Sequence, residues 1–305
     1  MEKTFFVTSD FVNSRLDRWF KRNVSNVPQS LIEKNIRKGN IKVNNKKKKS
    51  SYKLRKDDQI SIYNVNFKSS AHKEKQDKYK ATKKDLSYTS SLFIEDNENF
   101  AIINKPAGIA VQSGTKSKKN IIDMLRFTKE FGGYTPFSVH RIDKETTGIL
   151  VVAKNREYAQ LFTSLFRIRK IHKTYLGIVV GQPKNNKGTF KDELIYLENG
   201  KKTTSIAITS YRVIDSNNNY SLLMLSPVTG KKHQLRKQLL IHGTPILGDD
   251  KYNMLIKKNL KKSALMLHAY KINFSIAGKK YNFIAQPPDT FKNALKEKYL
   301  KNFQQ

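Results

Sequence analysis

The chain has 305 residues, of which 59 are Lys or Arg and 25 are Asp or Glu, so its formal net charge is +34. With 38% hydrophobic residues it has enough apolar side chains for a folded core, which excludes a wholly disordered polybasic tail. The absence of cysteine excludes a disulfide scaffold, a thiolate metal site and a cysteine nucleophile.

Charge and hydropathy together predict a partner and a compartment. No apolar run approaches the roughly 20 residues that span a bilayer, and the amino terminus lacks a secretion signal. We therefore expect a soluble, cytoplasmic protein that binds a polyanion. Lysine dominates the basic residues along the whole chain, so a compositional bias explains part of the charge, and the scarcer arginines are more informative.

Two helices and two short strands are predicted between residues 13 and 62. The first helix carries apolar residues at helical spacing. The second opens at Gln29 after a break at Pro28, with Ser30 and Glu33 at capping-box spacing. It ends at Gly39, because glycine readily takes the left-handed conformation that stops a helix. The apolar helix positions and the strands are Leu16, Trp19, Phe20, 41–43 and 59–62.

A polar, lysine-rich stretch from residue 66 to 88 predicts a linker to a larger domain. In that domain, strand and helix patterns alternate without a βαβ rhythm, which favours an α+β domain with a mixed or antiparallel sheet. The predicted strands are 100–103, 148–153, 173–180, 205–211 and 220–225. The predicted helices are 121–131, 156–167 and 233–241.

The densest polar cluster spans residues 138–148 and leads into the apolar strand 149–153. A loop that enters a sheet is held still by it and is a usual place for catalytic groups. Asp143 is the candidate side chain in this loop. Asp and Thr near Gly also form ordinary turns, so the residues alone leave both interpretations open.

A second polar cluster covers residues 229–236 and continues through 242–249. His233, Gln234 and Arg236 open the last predicted helix just after a strand. Helix amino-terminal amides and an arginine fork both suit an anionic partner, a phosphate or a carboxylate. A solvated basic turn is the alternative for this segment.

Several common kinds of site are absent from the sequence. It contains no phosphate-binding glycine loop and no nucleophile elbow of a serine hydrolase. Its histidines lack the i, i+4 pairing of a zinc protease, so a structural or RNA-facing role is favoured for each. We therefore expect neither a bound metal nor nucleotide-dependent chemistry. The histidines considered are His140, His233, His242 and His268.

Residues 140–148 resemble the catalytic-aspartate signature of the RluA family of pseudouridine synthases. Further segments match that family in the same order, and the amino-terminal module resembles an S4 RNA-binding domain. The family differs at a few positions, where this chain has Lys231, Lys237, Gln238 and Thr244. The matching segments are 104–108, 173–175, 230–236 and 245–249, and the S4-like segments are 15–17 and 37–44.

The resemblance implies an α+β fold with an S4-type RNA-binding domain (1–66), a basic linker (67–90) and a catalytic domain with a mixed, mainly antiparallel sheet (91–305). It implies that Asp143 is catalytic, that Arg236 pairs with it and that Tyr175 stacks on the uracil. The implied substrate-binding residues are Arg141, His140, Thr147, His233 and Gln234. The implied RNA-binding residues are Arg15, Arg18, Arg37, Lys38, Lys46 and Lys47.

The implied reaction is the isomerisation of specific uridines to pseudouridine in large-subunit 23S ribosomal RNA. The target base leaves its stack, and Arg141 fills the space. A cytoplasmic monomer acting on this RNA or on a pre-50S particle, without cofactor or metal, is expected. The alternatives are a synthase for tRNA or other rRNA sites, and a noncatalytic RNA-binding or ribosome-assembly protein.

Overall fold

The fold was analysed on a computed structural model of the chain. It describes residues 2–8, 11–25, 27–63, 88–112, 119–132, 134–198, 201–252 and 264–301. The chain divides into two compact units, residues 1–78 and 79–305. Most of the predicted linker, up to residue 87, lies outside the described residues. Among the described residues, no helix has the length and apolar character needed to cross a membrane.

The amino-terminal unit packs two helices on a small antiparallel sheet. Its strands are ordered β1-β3-β2 within the described residues. The predicted helix face is confirmed, since Leu16, Trp19 and Phe20 are all buried in the core. The elements are β1 (Glu2–Phe6), α1 (Leu16–Asn23), α2 (Gln29–Lys38), β2 (Ile41–Val43) and β3 (Gln59–Tyr63).

The two ends of α2 match the sequence predictions unequally. At the carboxyl end Gly39 has a φ of 83°, as predicted. At the amino end the predicted capping box is wrong, because Pro28 is the N-cap and its fixed φ starts the helix at Gln29. Glu33 instead accepts a hydrogen bond of 3.0 Å from the Gln29 side chain.

The larger unit is built on a mixed sheet, which confirms the predicted class. Within the described residues its main order is β4-β5-β7-β12-β8-β11-β10-β9, with β13 on β12 and β6 on β7. Of these pairs, β7 and β12 alone run parallel. The strands are β4 (Phe93–Asp96), β5 (Phe100–Lys105), β6 (Phe137–Ser138), β7 (Thr147–Ala153), β8 (His172–Val180), β9 (Lys187–Glu198), β10 (Lys201–Ser216), β11 (Tyr220–Pro227), β12 (Leu267–Ile276) and β13 (Lys279–Ile284).

Helices cover both faces of this sheet and bury β7 completely. Leu150 packs in a cluster with α3, while Ile149 packs with α4 on the opposite face. A continuous apolar run suits a strand that is covered on both sides. The helices are α3 (Ile121–Leu125), α4 (Arg156–Arg167), α5 (Gln234–Ile241) and α6 (Asp289–Glu297).

The predicted helix 121–131 is interrupted. The helix α3 ends at Leu125, and a short 3₁₀ turn follows at Lys129–Phe131. The break lies at Thr128, whose backbone is extended and whose hydroxyl donates a 3.0 Å hydrogen bond to the Leu125 carbonyl. A threonine that bonds to the backbone in this way competes with the helical ladder.

Gly148 allows the central parallel pair to form. It lies opposite Ala269 and has a φ of 105°, which L side chains rarely adopt. A Cβ at this position would collide with the Ala269 backbone. The glycine that ends the 138–148 cluster is therefore required by the close approach of β12 to β7, directly after the loop that carries Asp143.

Candidate active site

The two polar clusters of the sequence meet at one cavity of about 640 Å³. One wall is the loop before β7, and the opposite wall is the turn between β11 and α5. The start of β8 and the end of α4 complete it. The charged and aromatic side chains that line it are His140, Arg141, Asp143, Phe166, Arg167, Arg169, Lys173, Tyr175, Lys231, Lys232, His233 and Arg236.

Asp143 sits in a tight turn and faces two basic side chains. The Thr146 amide donates to the Asp143 carbonyl at 3.2 Å, so the ordinary-turn interpretation also holds. Its carboxylate lies 3.6 Å from Nε2 of His233 and 3.7 Å from Nη1 of Arg236, and 21% of the side chain is exposed. The turn thus presents a carboxylate to the cavity with cationic and polar groups beside it.

Arg236 is anchored mainly by a residue other than the predicted one. Its Nε and Nη2 donate to the buried carboxylate of Asp249 at 2.7 and 2.6 Å. This bidentate pair leaves Nη1 directed at Asp143. Burial lowers the pKa of Arg236, but the Asp249 hydrogen bond and the charges of Asp249 and Asp143 outweigh it and raise the pKa. The guanidinium is therefore a fixed positive charge between two carboxylates.

Tyr175 and His140 are both neutral side chains near the loop. Burial, together with the charge of Asp143, raises the pKa of Tyr175, so the phenol stays protonated. Burial lowers the pKa of His140 to about 3, with a smaller effect of the Lys173 charge. Its Nε2 accepts the Val151 amide at 2.8 Å and its ring stacks on Phe166. His140 therefore fixes the loop to β7.

Lys105 holds the Asp143 loop in place through hydrogen bonds to backbone carbonyls. Its fully buried ammonium donates to the carbonyls of Pro106, Ile109 and Lys144 at 2.7, 3.0 and 3.0 Å. Burial lowers its pKa to about 7 against the opposing charges of Glu145 and Asp143. A lysine with three acceptors satisfies all its donors, so this contact holds the loop in one conformation.

Comparison with known proteins identifies the family. Residues 99–240 match the family described as RNA pseudouridylate synthase. A Rickettsia felis protein named ribosomal large subunit pseudouridine synthase C is 34% identical over 94% of this chain and 97% of its own. The chain belongs to the pseudouridine synthase family. The resemblance to RluA-type synthases drawn from the motifs is confirmed.

Two further comparisons agree with this family. A Rickettsia conorii protein of the same name is 34% identical over 93% of this chain and 97% of its own. The solved structure of human RNA pseudouridylate synthase domain containing 4 superimposes with a TM-score of 0.62 and 28% identity. It covers 72% of this chain and 98% of its own length. The pseudouridine synthase fold is therefore shown for the larger unit.

The synthase cavity brings together most of the predicted site residues. Asp143, Tyr175, Arg236, Arg141 and His233 all line it. The first three were predicted to act in catalysis and the other two in substrate binding. These roles stay predictions. The shared location agrees with the assignment of these residues to one site from the sequence motifs.

Two predicted substrate-binding residues of the synthase are placed differently. Thr147 is buried in β7, and its hydroxyl bonds to Nδ1 of His268 at 2.8 Å, so it does not line the cavity. Gln234 reaches the wall, but its oxygen accepts from Thr229 and its nitrogen donates to Thr209 at 2.7 and 2.9 Å. Its side-chain amide is engaged in these intramolecular hydrogen bonds, which hold the start of α5 in place.

Four residues of the synthase site were given no role by the sequence reasoning. Lys105 and Asp249 lie in segments that match the family. Each is a charged residue next to Pro or Gly, and this pattern was the available sign of a role. Lys173 precedes Tyr175 and lines the cavity; burial lowers its pKa. Tyr252 had no signal, yet its hydroxyl lies 2.6 Å from Nδ1 of His233.

The predicted RNA-binding residues lie in the amino-terminal unit. Arg37 and Lys47 line a shared groove of about 360 Å³ together with Lys48 and Lys49. Arg15 is committed to Asp17, with its Nη2 2.6 Å from the carboxylate. The other three predicted residues are exposed, namely Arg18, Lys38 and Lys46.

Proposed function

We propose that this synthase isomerises specific uridines of large-subunit 23S ribosomal RNA to pseudouridine. The observation that carries the proposal is the meeting of Asp143, Tyr175 and Arg236 at one cavity. The names of the Rickettsia relatives support the large-subunit RNA as the substrate. A noncatalytic RNA-binding protein would have no chemical need for these three side chains at one place.

The target uridine must leave its stack to reach Asp143. Extruding a base costs a few kcal/mol, and least for an unpaired base. The cavity lies between two loops and is open to solvent on one side, so a flipped nucleotide can enter it. Arg141 is exposed at its edge, where it can occupy the space that the base leaves in the RNA.

The isomerisation exchanges one bond to the ribose for another. The bond between C1′ and N1 breaks, the base turns, and C1′ bonds to C5. N1 gains a proton and C5 loses one to solvent, so no oxidant or cofactor is required. Asp143 stabilises the separated sugar and base by attacking either C1′ or the base.

Arg236 and Tyr175 support Asp143 in different ways. Arg236 is positively charged at every physiological pH and places its Nη1 3.7 Å from the Asp143 carboxylate, where its charge opposes that of the aspartate. Tyr175 keeps its proton in the free enzyme, since burial and Asp143 both raise its pKa. This favours stacking on the uracil and hydrogen-bond donation, and it disfavours a phenolate that removes the C5 proton.

The amino-terminal unit supplies the electrostatic hold on the RNA. Its groove is lined by four cations, Arg37 and three lysines, against one carboxylate, Glu33. Cations of this kind bind phosphates with an affinity that falls as salt rises. We take residues 1–66 as an S4-like domain, 67–90 as a linker and 91–305 as the catalytic domain. The proposed enzyme is a cytoplasmic monomer that meets the RNA free or in a pre-50S particle.

Tritium release tests the activity directly. The purified protein should release tritium from C5-labelled uridine in 23S transcripts. Asp143→Asn should lower the rate by about 10³-fold or more, because the amide is neither nucleophile nor anion. The exposed neighbour Glu145 provides a control, and Glu145→Gln should retain the rate.

Two results would contradict the proposal. Binding of rRNA without tritium release would support a noncatalytic RNA-binding protein. Release from tRNA, with none from 23S transcripts, would assign the same chemistry to another substrate. Mapping pseudouridines in rRNA and tRNA from a deletion strain would identify the modified positions.

A further inference from the structure

Four helices in the described residues end in the same hydrogen-bonded turn, the Schellman motif. In each, a left-handed residue ends the helix and its amide bonds back into the last turn. The following amide bonds to the carbonyl five residues earlier. The left-handed residues are Gly39 in α2, Arg169 in α4, Gly243 in α5 and Tyr299 in α6, with φ of 83°, 60°, 73° and 54°.

Glycine is the residue that suits this position. An L side chain in the left-handed region is strained because its Cβ approaches the neighbouring carbonyl. The turns after α2 and α5 avoid this strain with glycine, while those after α4 and α6 do not. Arg169 and Tyr299 therefore occupy equivalent strained positions. The strain alone gives neither side chain a role, so a reason to keep an arginine at 169 must lie outside its own backbone.

The surroundings of Arg169 suggest such a reason. Arg169 lines the cavity, and its side chain is exposed. Arg167, the last residue of α4, and Lys173, near the start of β8, also line it. Within the described residues, none of these three cations is within ion-pair distance of a carboxylate. The segment from Arg167 to Lys173 is a positively charged edge of the cavity, and no carboxylate of the described residues forms an ion pair with the three cations.

We propose that Arg169 binds a phosphodiester of the RNA substrate at the edge of the cavity, beside the uridine that enters it. The proposal rests on the proposed function, because it takes RNA as the substrate. A guanidinium presents paired donors that match two phosphate oxygens, which glycine cannot replace. The contact compensates in the complex for a strain that the free protein carries.

The equivalent position in α6 offers a matched control. Tyr299 has the same backbone conformation and hydrogen bonds, is 90% exposed and does not line the cavity. Replacing either residue by Gly removes the strain. Arg169→Gly and Tyr299→Gly should therefore both raise the melting temperature, by about 2 °C each.

Only one of the two variants should affect RNA binding. With an unmodified 23S transcript at about 0.1 M salt, Arg169→Gly should raise the dissociation constant about tenfold, because a charge-assisted hydrogen bond is lost. The slope of log K against log salt should fall by about 0.7, the loss of one phosphate contact in a single strand. Arg169→Lys should keep the slope and recover part of the affinity, whereas Tyr299→Gly should bind like the wild type.

Three results would overturn this proposal. They are unchanged RNA binding in Arg169→Gly, an equal binding loss in Tyr299→Gly, and a lower melting temperature in Arg169→Gly alone. The last would show that the arginine serves the fold. Failure of the proposed function is a separate result, namely wild-type protein that binds the transcript and forms no pseudouridine, and the binding comparison then still decides the role of Arg169.

Discussion

The two sides of the cavity differ in how their charges are balanced. On the inner side, Arg236 is buried, bonds to Asp249 at 2.6 and 2.7 Å and faces Asp143 at 3.7 Å. On the outer side, Arg167 and Arg169 are exposed and have no carboxylate within ion-pair distance among the described residues. Both sides are basic, but among the described residues only the inner charges are neutralised by carboxylates.

We interpret this difference in charge balance as a division between catalytic residues on the inner side and substrate-binding residues on the outer side. A catalytic carboxylate must be positioned before the substrate arrives, so its partners are fixed in the free enzyme. A phosphate-binding cation is completed by the ligand itself. Changes on the inner side should therefore reduce both stability and rate, while changes on the outer side and in the amino-terminal groove should reduce affinity alone.

Apart from replacement of Asp143 itself, the largest effect is expected from Asp249→Asn. This change keeps the oxygen that accepts the Lys251 and Tyr252 amides, and it removes the charge that fixes Arg236. A buried guanidinium without its partner should destabilise the fold by about 3 kcal/mol. A displaced Arg236 should also slow tritium release about 100-fold, because small misplacements at a reacting centre are costly. Denaturant unfolding and single-turnover tritium release measure the two effects.

The neighbouring aspartate provides the control for this prediction. Asp250 is exposed, so Asp250→Asn should match the wild type in both measurements. If Asp249→Asn unfolds and reacts like the wild type, Arg236 does not depend on Asp249, and the contrast between the two sides of the cavity is wrong.

A loss of stability of comparable size is expected when the pH is lowered, because of His268, which lies beneath the site. Burial lowers its pKa from 6.5 to about 4. It bonds to Thr147 at 2.8 Å and to the Ala285 carbonyl at 2.9 Å. Above pH 6.5 it is neutral in both states and its stabilisation is fully present. Between pH 6.5 and 4 only the unfolded state takes up a proton, so about 3 kcal/mol is lost.

Replacing this histidine tests the pH dependence. The variant His268→Asn should be less stable than the wild type at pH 7, and should lose about 3 kcal/mol less between pH 7 and 4. His172, which is exposed at the start of β8, provides the control, and His172→Asn should keep the wild-type pH profile. If His268→Asn loses as much stability on acidification as the wild type, other titrating groups cause the loss. Urea unfolding at several pH values is the measurement.

Local elements of the fold followed from the sequence where short-range chemistry determines them. The helix α4 begins and ends as predicted, because Asn155 caps it and its side-chain oxygen accepts the Tyr158 amide. The strand β7 was recognisable because its apolar run is buried on both faces. The glycine after α2 also followed from its own conformational preference.

Long-range partners and exposed strands did not follow from the sequence. Arg236 was expected to bond to Asp143, but its main partner is Asp249, which the turn after α5 brings back to it. The two residues are 13 positions apart in the chain, and no helix or strand periodicity pairs side chains at that separation. The hairpin of β9 and β10 was missed in part, because a half-buried Asp192 and an exposed Ile195 break the alternation that identifies a strand.

The smallest effect is expected in the amino-terminal groove, where the charges are exposed as on the outer side of the cavity. Replacing Lys47 and Lys49 by Gln should leave the rate at saturating RNA unchanged, because neither residue touches the cavity. The slope of log K against log salt should fall by about 1.4, two phosphate contacts, with a several-fold loss of affinity at about 0.1 M salt. The exposed pair Lys279 and Lys280 is the charge-matched control. If Gln at the control pair has the same effect, the loss reflects net charge alone, and the groove is not an RNA-binding surface.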